Sequence, residues 1–357
     1  MRAGERLDVG HLDVEGYEQV VRCRDAASGL HAIVAVHSTV LGPALGGTRF
    51  HAYDEPDEAL TDVLRLARGM TYKASVSGLD LGGGKAVILG DPDLLRTDEL
   101  VLAYGRFVDS LGGAYVTAED VGTTQADMDL IRSVTPHVTG VSESLGGSGD
   151  PSPATALGLL HALRAAAAHR FGTDDLSGVH VAVSGVGKVG SVVVEHLAVA
   201  GARVTVADVD ATRVADAVRA HGVEVASPAA IHTVTCDVFS PCALGGILNA
   251  ATIPDLRCAV VCGSANNQLL ERADGDRLAA AGVLYVPDYV VNAGGIINIA
   301  EELGGYDAAR AGERIAAIST TTAEVLRLAD DEGTTPAEAA DRLAERRVAA
   351  AAGRTGD

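Results

Sequence analysis

Residues 179–190 read VHVAVSGVGKVG: an apolar run passes without a polar break into glycines spaced G-x-G-x-x-G, and residues 192–201 (VVVEHLAVAG) follow as an apolar helical pattern. A strand that enters a helix through such a loop constrains the rest of the chain. The first glycine permits the tight turn, the second lets a ligand approach the backbone, the third lets helix pack on strand, and the N–H groups of the helix start face whatever lies above the loop. A strand with no polar alternation is buried on both faces, which requires parallel neighbours reached through crossover helices. Short apolar runs at residues 203–206, 236–239, 259–262 and 283–286 repeat the rhythm, with helical segments between them. The pattern predicts a doubly wound parallel sheet.

The run after the glycine loop, residues 203–208 (RVTVAD), ends on Asp208. An acidic residue about 20 positions beyond the first glycine is placed to bind the adenosine ribose hydroxyls of a dinucleotide and to repel a 2′-phosphate. The expected cofactor is therefore NAD, with Gly185, Val186, Gly187, Lys188, Val189 and Gly190 as the phosphate cradle and Asp208 as the ribose partner. Neither this loop nor the run Gly82, Gly83, Gly84, Lys85 has the spacing or the Ser/Thr after the lysine of a triphosphate-binding loop.

A chain of 357 residues holds two domains at roughly 100–200 residues each. Its 28 Lys and Arg against 48 Asp and Glu leave a formal charge of −20, which repels a phosphate backbone. Nucleic acid is not an expected partner. No run approaches the roughly 18 apolar residues of a membrane helix, and residues 1–10 lack the apolar centre of a signal peptide, so the expectation is a cytoplasmic protein without membrane contact. Cys23, Cys236, Cys242, Cys258 and Cys262 form no C-x-x-C pair and fall mostly in Val-rich runs; they read as small hydrophobes, and no metal site is expected.

The amino-terminal half carries clusters that packing alone explains badly: residues 42–49 (GPALGGTR), 73–85 (KASVSGLDLGGGK) and 117–123 (TAEDVGT). Lysines beside glycine runs in apolar surroundings are unusual, because lysine is rarely buried without a partner. From residue 152 a long Ala/Leu helix is expected, with Ser152 as N-cap and Pro153 in its first turn. Two more helical patterns run over residues 316–351.

These clusters, with GMTYK at residues 69–73, GGGKAV at 82–87, DPSPATA at 150–156, PCALGG at 241–246, GSANNQL at 263–269 and PDYVVNAGG at 287–295, run nearly end to end through the chain. In them the chain resembles the amino acid dehydrogenases of the glutamate, leucine, phenylalanine and valine group, most closely the leucine and valine enzymes. The resemblance implies an α/β protein of two domains: a substrate-binding catalytic domain over residues 1–147, a Rossmann-type NAD-binding domain over 148–320, and C-terminal helices over 321–357 that pack back toward the first. It also implies a homo-oligomer, dimer to octamer.

The implied activity is NAD-dependent oxidative deamination of an L-amino acid to a 2-oxo acid and ammonia, and the reverse. Position by position, Lys73 would hold the substrate α-carboxylate, Lys85 would act as general acid and base, and Asp120 would take a proton from the substrate amine. A lysine near another cation in a poorly solvated cleft has its pKa lowered, which suits that role. Gly46 and Gly47 would let the chain pass close to the carboxylate. Thr155, Asn267 and Asn292 match positions contacting the nicotinamide half, with Asn267 also near substrate, and Ala243 lies in the loop after the strand at residue 236. For Asn266 turn formation explains the residue as well as binding does.

Substrate preference is read at Leu45, Ala118, Ile296 and Ile299. The glutamate enzymes of the group carry lysine at the position of Leu45 and serine at that of Ile299, so aliphatic residues here imply a branched-chain substrate, with phenylalanine or another apolar amino acid as the alternative. Ile296 and Ile299 stand where the leucine enzymes tend to have Val, which shrinks the pocket toward valine; Ser240 stands where Ala is common. A 2-hydroxy acid dehydrogenase would need a histidine by the cofactor, and none of the eleven histidines lies in a glycine cluster. A non-catalytic NAD-binding regulator would be expected to lose Lys73, Lys85 or Asp120, and all three are present.

Overall fold

The computed structural model describes residues 7–353; residues 1–6 of the amino-terminal segment read for a leader, and residues 354–357 of the C-terminal helical segment, lie outside the described residues. Two units are resolved by contact: residues up to Asp150 with Ile299–Asp307 and the described residues from Ala344, and Pro151–Asn298 with Ala308–Leu343.

In the first unit β1 (Asp8–Leu12), β2 (Gln19–Asp25), β3 (Leu30–Ser38), β4 (Ala44–His51), β5 (Gly82–Leu89) and β6 (Tyr115–Glu119) form a sheet in the order β1-β2-β3-β5-β4-β6. The first four in space pair antiparallel, and β4 pairs parallel with both β5 and β6. Helix α1 (Pro56–Val76) covers one face, against β5 and β3. It opens on Pro56 with Asp57 and Glu58 in its first turn, and buries Ala59, Val63, Ala67, Thr71 and Ala74 at helical spacing. It runs to Val76, which puts Lys73 on its last turn. After α2 (Pro92–Leu95), α3 (Asp98–Ser110) and α4 (Gln125–Arg132) cover the other face, over a core that includes Ala44, Phe50, Tyr104, Phe107, Tyr115 and Met128.

In the second unit α5 (Ser152–Phe171), β7 (His180–Ser184), α6 (Lys188–Val199), β8 (Arg203–Ala207), α7 (Ala211–His221), β9 (Glu224–Val225), β10 (Val238–Pro241), β11 (Val260–Val261), α8 (Ala273–Ala280), β12 (Leu284–Tyr285), α9 (Asp288–Val291), α10 (Gly294–Ala300), α11 (Ala308–Ala316), α12 (Ile318–Glu332) and α13 (Pro336–Ala352) follow in turn, α10 and α13 crossing a unit boundary. The sheet is wholly parallel in the order β12-β11-β10-β7-β8-β9. Strand order reverses between β7 and β10, which opens a crevice at their carboxyl ends.

Two local expectations are corrected, and one strand lies outside the expected runs. The Ala/Leu helix is capped by Pro151, whose carbonyl accepts from Thr155 N–H at 3.0 Å, and not by Ser152. The crossover from β10 to β11 contains no α-helix: the asparagine and threonine of residues 249–252 satisfy its backbone with side chains, Asn249 Oδ1 accepting from Ala251 and Thr252 N–H, and a single 3₁₀ turn (Ile253–Asp255) follows. Strand β9, two exposed residues long, carries no apolar run by which to find it.

No helix among the described residues is long and apolar enough to cross a membrane. All five thiols are free; Cys23 and Cys262 are buried, and burial pushes Cys236 up to about 12 and Cys258 to about 11.

Candidate active site

The parallel strands β5, β4 and β6 deliver the reactive side chains of the first unit. On β5, Ala86 and Ile88 belong to the core on the α3 side, so alternation turns Lys85 toward α1, and it is only 7% exposed. Asp120 follows β6 directly, in a turn closed by Thr123: the Thr123 Oγ1 accepts the Asp120 N–H at 2.9 Å and reaches Thr48 O at 2.9 Å on β4. Lys85 Nζ and Asp120 Oδ2 form an ion pair.

A third charge completes the group. Arg49 on β4 brings Nε within 3.6 Å of Asp120 Oδ2, while its Nη1 donates to Asp62 Oδ2 of α1 at 2.7 Å. Tyr53 also donates to Asp62 Oδ2, at 2.8 Å. Burial would raise the Asp120 carboxyl, but the Lys85 ammonium and the Arg49 guanidinium outweigh it and hold the group below the ordinary carboxylate range.

Gly46 and Gly47 are required by the protein's own packing. A Cβ on Gly46 would lie 1.7 Å from the Gly84 carbonyl, and one on Gly47 would lie 2.8 Å from Asp120 Cβ. Leu45 and Ala118, on β4 and β6, are 0% and 2% exposed. Lys73, half-buried, stands two residues beyond Thr71, whose backbone lies against Gly83.

In the second unit the β7–α6 loop has the geometry expected of a phosphate cradle. Gly185 takes φ +98°, and a Cβ there would strike Ala243 Cβ at 2.7 Å, so the loops after β7 and β10 meet at the switch point. A Cβ on Gly190 would lie 2.0 Å from Gly185 O. Gly187 caps α6 without any side-chain bond, and only Arg213 Nη1, at 3.5 Å, stands within 4 Å of where its Cβ would be. The N–H groups of Lys188 and Val189 thus open α6 with room above them, and a pyrophosphate fits there. Asp208 accepts the Val186 N–H at 2.8 Å and the Asp210 N–H at 2.9 Å; burial would raise it, and these bonds lower it below its ordinary value.

The other assigned positions surround the same crevice or α10. Thr155 donates to Pro151 O at 3.0 Å in the first turn of α5. Asn267, at φ +52°, is the one non-glycine in the left-handed region among the described residues, and its carbonyl accepts the Gly246 N–H. Asn292 donates to Ser264 O at 3.1 Å and to Asn266 Oδ1 at 2.7 Å, so the Asn266 side chain serves to order its loop. Ile296, 5% exposed, and Ile299 are three residues apart on α10 and share a face. Among the described residues no group of three or more His, Cys, Asp or Glu side chains is arranged to hold a metal.

Sequence reasoning passed over Arg49, Asp62 and Tyr53. A signal existed for the first: an arginine within a strand between buried Thr48 and Phe50 needs a carboxylate partner.

Residues 17–137 match the family model described as Glu/Leu/Phe/Val dehydrogenase, dimerisation domain, and residues 146–217 and 207–356 match that of Glutamate/Leucine/Phenylalanine/Valine dehydrogenase. The chain belongs to this family. It is 50% identical over 338 residues to the leucine dehydrogenase of Geobacillus stearothermophilus, covering 95% of this chain and 92% of the relative. To the valine dehydrogenase of Streptomyces albus it is 51% identical over 347 residues, covering 96% and 95%. The crystal structure of an L-tryptophan dehydrogenase from Nostoc punctiforme superposes with a TM-score of 0.84 at 42% identity, covering 94% of this chain and 97% of that one. The family membership makes the chain an amino acid dehydrogenase that works with a nicotinamide dinucleotide, which the loop after β7 fits.

Proposed function

We propose that the enzyme catalyses the NAD-dependent oxidative deamination of valine, leucine and isoleucine to their 2-oxo acids and ammonia, and the reverse amination. The observation that carries this reading is the Lys85–Asp120 ion pair, set in a sheet whose neighbouring side chains, Leu45 and Ala118, are aliphatic. Names of relatives at about 50% identity support the branched-chain class.

A bound nicotinamide dinucleotide would supply the acceptor for the hydride that leaves the amino acid Cα. The Lys73 ammonium holds the substrate α-carboxylate. Asp120, kept ionised by its two cations, accepts a proton from the substrate ammonium group and so frees the nitrogen lone pair. Lys85, once it has released its own proton, takes one as a neutral amine from the water that adds to the resulting iminium carbon, and returns it to the nitrogen. The nitrogen departs as ammonia while the new hydroxyl gives its proton to Lys85 and becomes the 2-oxo group. Gly46 and Gly47 keep the strand low beside the carboxylate. Thr155, Asn267 and Asn292 orient the nicotinamide half; residues 185–190 and Ala243 hold the pyrophosphate side, and Asp208 the ribose.

A carboxylate buried beside Leu45 and Ala118 without a partner would cost several kcal/mol, so glutamate should be a poor substrate by orders of magnitude. We also assign Ile296 and Ile299 to side-chain recognition. One methylene is worth only about 1–3 kcal/mol, so the three branched substrates are less sharply divided, with valine favoured. The tryptophan-dehydrogenase neighbour makes an aromatic substrate the second reading.

Initial rates of NAD reduction over a panel of L-amino acids test it: kcat/KM should be highest for a branched chain, and a faster phenylalanine, tryptophan or glutamate rejects the proposal. NADH should be consumed with a 2-oxo acid only when ammonium is present; consumption without it would identify a hydroxy acid enzyme. Free thiols suit a cytoplasmic setting. The family's description of residues 17–137 supports a homo-oligomer, which light scattering on a sizing column would measure.

A further inference from the structure

Two buried polar atoms of the first unit lie 3.6 Å apart: Arg49 Nε, which has no hydrogen-bond partner, and Asp120 Oδ2, whose ion-pair partner is Lys85 Nζ. That separation is too long for a hydrogen bond, yet it places a full positive charge against the carboxylate at a side-chain exposure of 23% for Arg49 and 21% for Asp120. The guanidinium is fixed from behind. Its Nη1 bonds Asp62 Oδ2 at 2.7 Å, the Tyr53 hydroxyl bonds the same oxygen at 2.8 Å, and Arg65 Nη2 takes Asp62 Oδ1 at 3.0 Å.

We propose that Arg49 is a positioning residue of the reaction: held by Asp62 and Tyr53, it keeps Asp120 ionised and aimed, while Lys85 remains mobile enough to exchange protons. The inference rests on the reading of Lys85 and Asp120 above. Lys85 alone would form a two-charge pair in which any movement of its ammonium strips the carboxylate of its counter-charge. With Arg49 fixed on the other side, the carboxylate keeps a cation throughout the cycle. The charged and titratable groups facing this carboxylate are Lys85 from β5 and Arg49 from β4; those facing Arg49 are Asp62 from α1 and Tyr53 from the segment after β4, with Arg65 of α1 behind Asp62.

The sign of the test follows from charge. Removing a nearby positive charge raises the pKa of whichever group sets the rising limb of kcat/KM against pH, whereas removing a negative charge lowers it. Arg49→Gln should move that limb to higher pH and lower kcat for valine or leucine at least tenfold, with the dissociation constant for NADH within threefold of wild type. Asp62→Asn should move the limb the other way, to lower pH, and Arg49→Lys should restore most of the wild-type limb. Melting temperatures identify any variant that fails to fold, and if Arg49→Gln does so the Asp62→Asn shift alone decides.

Opposite shifts support the proposal. A wild-type limb in Arg49→Gln, or shifts of one sign in both variants, overturns it, since a purely structural role has no reason to follow the sign of the charge removed. Should Lys85→Ala and Asp120→Asn retain turnover, the functional reading itself fails, and that outcome is separate from either of these.

Discussion

Lys85 and Asp208 make opposite use of the same environment. Lys85 lies within the buried strand β5 and Asp208 just after β8, and each has a partner fixed by the fold: Lys85 the Asp120 carboxylate, Asp208 the N–H groups of Val186 and Asp210. Lys85→Ala removes the group assigned to proton transfer while leaving the second unit untouched, so kcat should fall at least ~10²-fold while NADH still binds within threefold, as read by quenching titration. Near-normal kcat would withdraw the assignment. Asp208→Ser removes the charge that repels a 2′-phosphate, and the ratio of kcat/KM for NAD over NADP should narrow; a wild type that favours NADP would contradict the ribose role.

At the scale of elements, single side chains tie distant segments to the first unit. Arg347 of α13 donates to Ser75 O at 3.0 Å and Leu79 O at 2.6 Å and pairs with Asp80 at 2.8 Å, closing the carboxyl end of α1 with a cation where the helix dipole favours one. Glu302 accepts the N–H groups of Gly140 and Ser148 and the Ser148 hydroxyl, which holds residues 299–307 against the chain that leaves β6. Arg347→Ala removes the cation that bridges the Ser75 and Leu79 carbonyls, and the urea unfolding free energy should drop by about 2 kcal/mol. NADH affinity should be unchanged; a loss below about 0.5 kcal/mol would show the contact to be a surface one.

Over the whole molecule, acid sensitivity follows from carboxylates whose folded pKa is depressed. For Asp62 burial works upward and is outweighed by Tyr53, Arg49 and Arg65; Asp120 and Asp208 are likewise lowered. A depressed carboxyl stabilises the fold above its unfolded value near 4 and loses that contribution as pH falls through the folded value. Urea unfolding followed by circular dichroism should therefore give a stability nearly level from pH 7 to about 5 and falling below about 4. Asp62→Asn should be less stable at pH 7 and show a shallower fall; an equally steep fall would remove Asp62 from the account.

The sequence by itself determined the second unit's core logic and the family. Apolar strands leading into spaced glycines point to one geometry, because two of the glycines answer local demands: Gly185 takes φ +98°, and a Cβ on Gly190 would lie 2.0 Å from Gly185 O. The lysines and Asp120 were legible through motifs that recur together along the chain. What lay beyond the sequence was any partnership across strands. Arg49 lies on β4 and Asp120 just beyond its paired strand β6, 71 positions apart in the chain, and nothing local to residue 49 says that its guanidinium has Asp62 on one side and Asp120 on the other. Likewise the reason for Gly46 is a carbonyl at Gly84, met only because β4 pairs with β5. Local steric rules are written residue by residue, whereas charge pairing depends on sheet order, which only the tertiary structure decides.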